Sequence, residues 1–347
     1  MQACVLHAVG DLRCETAADP KPHADEVLVR VGACGVCGSD IPRVFKTGTY
    51  KFPLIPGHEF SGTVVAVGDD VDAKLVGTRA AIFPLIPCGK CSMCAQKKYA
   101  QCANYDYLGS RSNGAFAEYV CAPEWNVLPI PDHLSLEEAA MTEPAAVALH
   151  ALRQGAIQGS EEVCIVGAGP IGLLVAMWAT ALNAGIVMLA DIDGRKLDFA
   201  NKLLPDAILL DARERAIGEE VRSITGAGAD LVVDATGSAP GVAQCLHATR
   251  PFGRVVLLGN PEGDMTLPKD AYWAILRKEL RLAGSWNSSY DPARRDDWRI
   301  VIEFMANSKL NVKPLITHRV GLPDLFSAME KMRDRAEFSN KILFVND

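Results

Sequence analysis

The chain has 347 residues, 49% of them apolar and 22% charged, with a formal net charge of -7. Such a length and composition suit two globular domains with separate cores, not a disordered or fibrous chain. An acidic balance without any run of Lys and Arg disfavours nucleic acid as a partner.

Residues 1–146 alternate short apolar runs with Gly and Pro, as in Glu26-Val27-Leu28-Val29-Arg30-Val31 and Gly62-Thr63-Val64-Val65-Ala66-Val67-Gly68. Closely spaced short strands predict a small, mostly-β domain. The opening Met1-Gln2-Ala3-Cys4-Val5 lacks the basic and apolar regions of a secretory leader. The 11 cysteines therefore read as metal ligands or buried thiols of a reducing compartment, by default the cytoplasm. Cys4, Cys14, Cys34, Cys121, Cys164 and Cys245 read as buried small apolar residues.

Cys88-x-x-Cys91-x-x-Cys94 and Cys102 place four thiols within a lobe spanning 86–104. Four sulfurs around one tetrahedral ion leave no position for a substrate, which is the pattern of structural zinc. An iron–sulfur cluster is the rival. Cys37, His58 and Glu143 are dispersed candidates for a second, open zinc site with three protein ligands. Their spacing alone does not single them out.

The rhythm changes near residue 147. Val163 to Ala190 is uncharged over 28 residues, but its glycines divide it into strand, helix and strand. That is a buried parallel-sheet pattern, not a membrane span. Expected strands are 163–166, 186–190, 230–234, 254–258 and 281–283, with a helix over 170–182, which predicts a doubly wound parallel sheet over 147–285. Gly167-Ala168-Gly169-Pro170-Ile171-Gly172 follows the first strand as G-x-G-x-x-G. Its glycines permit a tight turn, close backbone approach to a pyrophosphate and close helix packing, while Pro170 and Ile171 open the helix whose N–H groups face the phosphates.

Asp191 lies 19 residues beyond Gly172, where a carboxylate accepts from ribose hydroxyls and repels a 2′-phosphate. NAD is thereby favoured over NADP, although the neighbouring Arg195-Lys196 pair would suit that phosphate. Lys196, Leu258 and Gly259 join the expected cofactor contacts. Residues 286–347 read as helix and loop with one last strand at 342–345, too short for a domain and expected to return to the first. His150 lies in a helix-like run and reads as packing.

Gly57-His58-Glu59-x-x-Gly62-x5-Gly68-x-x-Val71 resembles the signature of the zinc-containing medium-chain alcohol dehydrogenases. Gly35-Val36-Cys37-Gly38-Ser39-Asp40-Ile41-Pro42-Arg43-Val44-Phe45-Lys46, Tyr107–Arg111, Gly284–Asn287 and Asn311–Arg319 are similar to its polyol dehydrogenase branch. The resemblance implies an α/β chain with a GroES-like, mostly-β catalytic domain split around a Rossmann domain, and a homodimer or homotetramer. It implies two zinc ions per chain, with NAD as oxidant and a polyol or polyol phosphate as substrate; threonine and butanediol enzymes are alternatives.

Cys37, His58 and Glu143 would hold the catalytic zinc, and Glu59 would be a fourth ligand or a nearby acid. Ser39 would take the substrate's proton, and Asp40 would hold the His58 ring. A histidine that relays the proton in liver-type enzymes is here replaced by Pro42. Arg43 and Lys46, with Arg111 and Trp286, are candidate substrate contacts, the cations for a phosphate. A zinc-ribbon nucleic-acid binder would leave the glycine turn idle, and a zinc-free reductase would need neither metal set.

Overall fold

The structure, a computed structural model, describes residues 1–261 and 263–346. Two compact units divide the chain, Met1–Glu143 with Ser289–Asp347, and Pro144–Ser288.

The first unit opens with a hairpin of β1 (Gln2–Ala8) and β2 (Asp11–Thr16). Its strands continue with β3 (Glu26–Gly35), β4 (Glu59–Val67), β5 (Arg79–Ile82), β6 (Leu85–Ile86), β7 (Asp106–Tyr107), β8 (Tyr119–Pro123) and β9 (Val127–Pro129). In β3, Val27, Val29 and Val31 turn inward and Arg30 outward, the alternation of a half-buried strand. Beyond them, Ala33, Cys34 and Gly35 are all buried, because β3 is there central to the sheet.

The hairpin overturns one expectation. Cys4 and Cys14 are not separate buried thiols but register partners joined by a disulfide. The Cys4 N–H is spent on the Phe116 carbonyl at 2.8 Å, so the two cysteines form a non-hydrogen-bonded pair, where cross-strand side chains come closest.

The second unit holds six parallel strands: β10 (Glu162–Val166), β11 (Ile186–Asp191), β12 (Ile208–Asp211), β13 (Ala229–Asp234), β14 (Thr249–Leu257) and β15 (Arg281–Gly284). Their order, β12-β11-β10-β13-β14-β15, reverses direction beside β10, and in such sheets ligands bind at the carboxyl ends of the strands at that switch point. Sequence reasoning missed β12. Valines and other apolar side chains fill β10 and β13 on both faces, as a sheet covered by helices requires.

The chain returns to the first unit with β16 (Ile316–Val320), also unexpected from the sequence, and β17 (Lys341–Val345). The first unit's sheet runs β16-β17-β3-β4-β5-β9, with β8 paired to β3. Leu343 stands opposite Gly35, and Gly35 opposite Glu59. That register sets the head of β17 beside the heads of the segments that carry Cys37 and His58. No helix of the described residues is long and apolar enough to cross a membrane.

Candidate active site

Cys37 follows β3, and His58 immediately precedes β4. The pairing of β3 with β4 therefore brings together side chains 21 positions apart. One donor atom each from Cys37, His58 and Glu59 lies within 4.8 Å of the others. Glu143 stands outside that trio, on the first turn of the helix Thr142–Gln154, and accepts from the Tyr107 hydroxyl at 3.3 Å. Glu59 thus closes onto Cys37 and His58, and the charges of Glu59 and His58 both act on Glu143.

Asp40 is fully buried behind the trio. Its Oδ2 accepts from the Cys37 N–H at 3.0 Å, and its Oδ1 faces His58 Nδ1 at 3.4 Å. This is the expected partner of the His58 ring. Burial pushes the Asp40 carboxyl up, but His58 and Arg43 hold it below its ordinary value. Ser39 Oγ donates to Cys37 Sγ at 3.2 Å.

Lys341 was missed from sequence. It heads β17, is 2% exposed, and its ammonium pairs with Glu59 Oε2 and donates to the Val36 carbonyl at 3.3 Å. Burial disfavours its charge, but Glu59 keeps its pKa raised. Room for the Glu59 carboxylate comes from Gly35, where a Cβ would stand 2.2 Å from Oε2.

Charge tests whether a metal fits here. Asp40, Glu59 and Glu143 share one buried site with Arg43 and Lys341, and two groups show how strongly their charges act on one another. Burial and the neighbouring Glu59 push Glu143 up to about 7. His58, which burial alone would lower, is carried well above its ordinary value by Asp40 and Cys37. A divalent cation held by sulfur, imidazole and carboxylate would take the place of the protons that His58 and Glu143 retain, and that donor set suits zinc.

The second cluster is local. Cys91 Sγ lies 3.5 Å from Cys94 Sγ and 3.8 Å from Cys102 Sγ, and Cys88 Sγ lies 4.0 Å from Cys94 Sγ. A tetrahedron with zinc–sulfur bonds of about 2.3 Å has edges of about 3.8 Å, so the sulfurs stand where one ion would hold them. Backbone N–H groups of Ala103 and Cys94 bring Cys91 down to about 6, while burial pushes Cys94 up to about 12. Lys97 ties the lobe to Asp291 at 2.8 Å.

In the second unit, Gly167 has φ +107°, open to glycine and strained for other residues, and a Cβ on Gly172 would stand 1.8 Å from the Gly167 carbonyl. Gly169 faces open space at the N-terminus of the helix Pro170–Ala181, where Pro170 and Ile171 form the first turn. A pyrophosphate fits this cradle. Asp191 ends β11, its Oδ2 accepting from the Ala168 N–H at 2.7 Å and from Lys196 Nζ at 3.3 Å. Leu258 and Gly259 follow β14, both N–H groups donating to the Asp234 carbonyl at 3.0 and 2.9 Å.

Of the expected substrate contacts, Arg43 lies at the metal trio, its Nη1 donating to Ser39 Oγ at 3.0 Å and Asp40 Oδ1 at 3.1 Å. It is not on a solvated basic face. Lys46 is exposed at the end of the same turn. Arg111 is stacked between the Tyr50 and Tyr105 rings, 4.3 Å from each centroid. Trp286 is exposed on the second unit. Tyr107 also faces the trio, its ring edge-on to His58 at 5.7 Å.

Residues 23–132 match the alcohol dehydrogenase GroES-like domain, and residues 170–307 the zinc-binding dehydrogenase family. Galactitol 1-phosphate 5-dehydrogenase of Escherichia coli K12 is 33% identical over 351 residues, covering 99% of this chain and 100% of that protein. Sorbitol dehydrogenase of Bacillus subtilis is 32% identical over 351 residues, covering 99% and 96%. The crystal structure of galactitol-1-phosphate dehydrogenase from Escherichia coli superposes with a TM-score of 0.93 over all of both chains. A Sinorhizobium meliloti 1021 protein crystallised with NADP gives 0.88 at 27% identity, covering 99% of each. The chain belongs to the zinc-binding alcohol dehydrogenase family, with a GroES-like and a Rossmann-type domain. It is an oxidoreductase of the alcohol and polyol type, using zinc and a nicotinamide cofactor.

Proposed function

We propose that this enzyme oxidises one secondary hydroxyl of a polyol phosphate, galactitol 1-phosphate foremost, to the ketone, tagatose 6-phosphate. NAD becomes NADH, and one proton is released. The observation that carries the chemistry is the buried trio of Cys37, His58 and Glu59 beside the Ser39 hydroxyl. Zinc held there would supply Lewis acidity to a hydroxyl oxygen, and NAD would supply the hydride acceptor.

The chain's own residues do the rest. Cys37 and His58 hold the metal, with Glu59 the nearer and Glu143 the farther carboxylate. Asp40 sets the tilt of the His58 ring. A Ser39 lone pair accepts the hydrogen bond of the substrate hydroxyl. Lys341 offsets the charge of Glu59 inside the fold. The four sulfurs of Cys88, Cys91, Cys94 and Cys102 hold a second, structural zinc. Asp191 favours NAD, since its carboxylate at the ribose end repels a 2′-phosphate.

A cytoplasmic setting goes with the nine free cysteines, while the Cys4–Cys14 disulfide runs against it. A homodimer is supported by the edge strand β15 and by Tyr272, Trp273 and Leu276, exposed on the helix Lys269–Arg277. Light scattering at twice the chain mass is the expected result, and a monomer would refute the dimer.

The test is a panel of galactitol 1-phosphate, sorbitol, threonine and butanediol with NAD and NADP. The expected order puts galactitol 1-phosphate with NAD first, and Asp191→Ala should narrow the cofactor preference. Sorbitol as the better substrate would make this a general polyol dehydrogenase. Equal kcat/KM with both cofactors would remove the role given to Asp191.

A further inference from the structure

Arg43 is placed unusually for a surface-turn cation. It opens the π-helical turn Arg43–Thr47, directly after the short helical turn Asp40–Pro42. The wide turn is pinned from the far side: Phe45 packs on Phe326 at 5.5 Å, and Arg333 lies over the Phe45 ring at 4.5 Å. From this fixed base one nitrogen, Nη1, reaches both Ser39 Oγ and the buried Asp40 Oδ1.

The direction of each bond follows from the chemistry. A guanidinium has five N–H donors and no acceptor, so Arg43 can only donate to Ser39. The serine hydroxyl has one hydrogen and two lone pairs, and one lone pair is thereby occupied. Its hydrogen turns away from the arginine, and Cys37 Sγ stands at 3.2 Å to accept it. One lone pair is left for a substrate hydroxyl. Without the guanidinium, the hydroxyl is free to rotate, and its lone pair is no longer held toward the substrate hydroxyl as the acceptor of that proton.

We propose that Arg43 is a positioning residue: it locks the Ser39 hydroxyl into the one orientation that donates to Cys37 and accepts from the substrate. The inference rests on the dehydrogenase reading above but not on the substrate's being phosphorylated. An arginine so engaged acts on every alcohol the enzyme oxidises, whereas a phosphate-binding arginine acts on phosphorylated ones alone.

The test compares Arg43→Met, Arg43→Lys, Ser39→Ala and the double variant Arg43→Met/Ser39→Ala in the zinc-loaded enzyme, with sorbitol and galactitol 1-phosphate. Arg43→Met should lower kcat about 10- to 100-fold on whichever polyol is oxidised, the range for losing a charge-assisted hydrogen bond, with KM little changed. Arg43→Lys should recover part of the loss. The double variant should be no slower than Ser39→Ala, because the arginine works through the serine.

A second readout needs no turnover. In the cobalt(II)-substituted protein, losing the hydrogen bond to Cys37 should move the thiolate-to-cobalt charge-transfer band to longer wavelength, in Arg43→Met and Ser39→Ala alike. Additive losses, a KM effect confined to the phosphorylated substrate, or an unmoved cobalt band in Arg43→Met would each overturn the proposal. If Arg43→Met does not fold, Arg43→Gln takes its place under the same criteria. A wild-type enzyme inactive on every polyol would sink the functional reading instead, and the cobalt band would still decide the role of Arg43.

Discussion

The two thiol-bearing clusters of the first unit are built in opposite ways. Cys88, Cys91, Cys94 and Cys102 come from one short loop, and their sulfurs already stand near tetrahedral edge distances. Cys37, His58, Glu59 and Lys341 come from three separate stretches of chain and meet because β17, β3 and β4 lie side by side, while Glu143 comes from the helix Thr142–Gln154. The local cluster carries no counter-charge problem beyond its own thiols, since solvent reaches Cys88 and Cys91. The assembled one buries carboxylates, a histidine and a lysine together and keeps protons on His58 and Glu143 that a metal would displace. On the proposed reading, a structural zinc would reinforce a loop that the sequence has already bent, whereas a catalytic zinc would displace protons from an arrangement that only the fold assembles.

The largest expected effect breaks one cluster and spares the other. His58→Ala should lower kcat/KM by about a thousandfold or more, because several kcal/mol of charge stabilisation leave with the metal. Metal analysis should still find one zinc per chain in that variant, held by the four cysteines. Loss of both ions together would mean that the clusters are not independent.

Lys341→Met removes a cation from the assembled cluster alone. Breaking a buried pair leaves an uncompensated charge on Glu59, which costs about 3–5 kcal/mol. Denaturant unfolding of the metal-stripped variant should show that loss, and added zinc should recover most of it by neutralising Glu59. Equal loss with and without zinc would show that the metal and Lys341 do not share the charge of Glu59.

A smaller effect is the pH dependence of the metal-stripped protein. Glu143 is raised from 4.5 to about 7 in the folded state, so the native chain keeps a proton that the unfolded chain has released. Stability contributed this way is full below the lower value and is lost as pH rises through about 7. The stripped protein should therefore melt at lower temperature at about pH 8 than at about pH 5, and Glu143→Gln should flatten that dependence. A stripped wild type with the opposite slope would contradict the raised value.

The same contrast governs what could be read without a structure. The cysteine loop and the turn from Gly167 to Gly172 are legible because their chemistry lies in consecutive residues. Strands β10, β11 and β13 were legible because a parallel sheet buried on both faces writes continuous apolar runs. The short strand β12, with Ile208 and Leu209 still partly in solvent, and the mixed Ile316–Val320 of β16 carry no such run. Lys341 was invisible for a different reason. It precedes Ile342-Leu343-Phe344-Val345 as an ordinary strand flank would, and only pairing with β3 buries it against Glu59. A lysine heading a wholly apolar terminal strand was the one available hint. Arg43 was found from sequence, but its inward turn depends on the π-helical geometry of residues 43–47, which no spacing announces.

The account stands most directly on what happens as zinc is withdrawn stepwise by a mild chelator, with bound zinc and NAD-linked polyol oxidation followed on the same sample. Activity should vanish as the first ion leaves, while the second remains on a protein that is still folded, and returning one equivalent of zinc should restore turnover. Activity that persists after the first ion is gone would contradict the assignment of Cys37, His58 and Glu59 as the catalytic metal site.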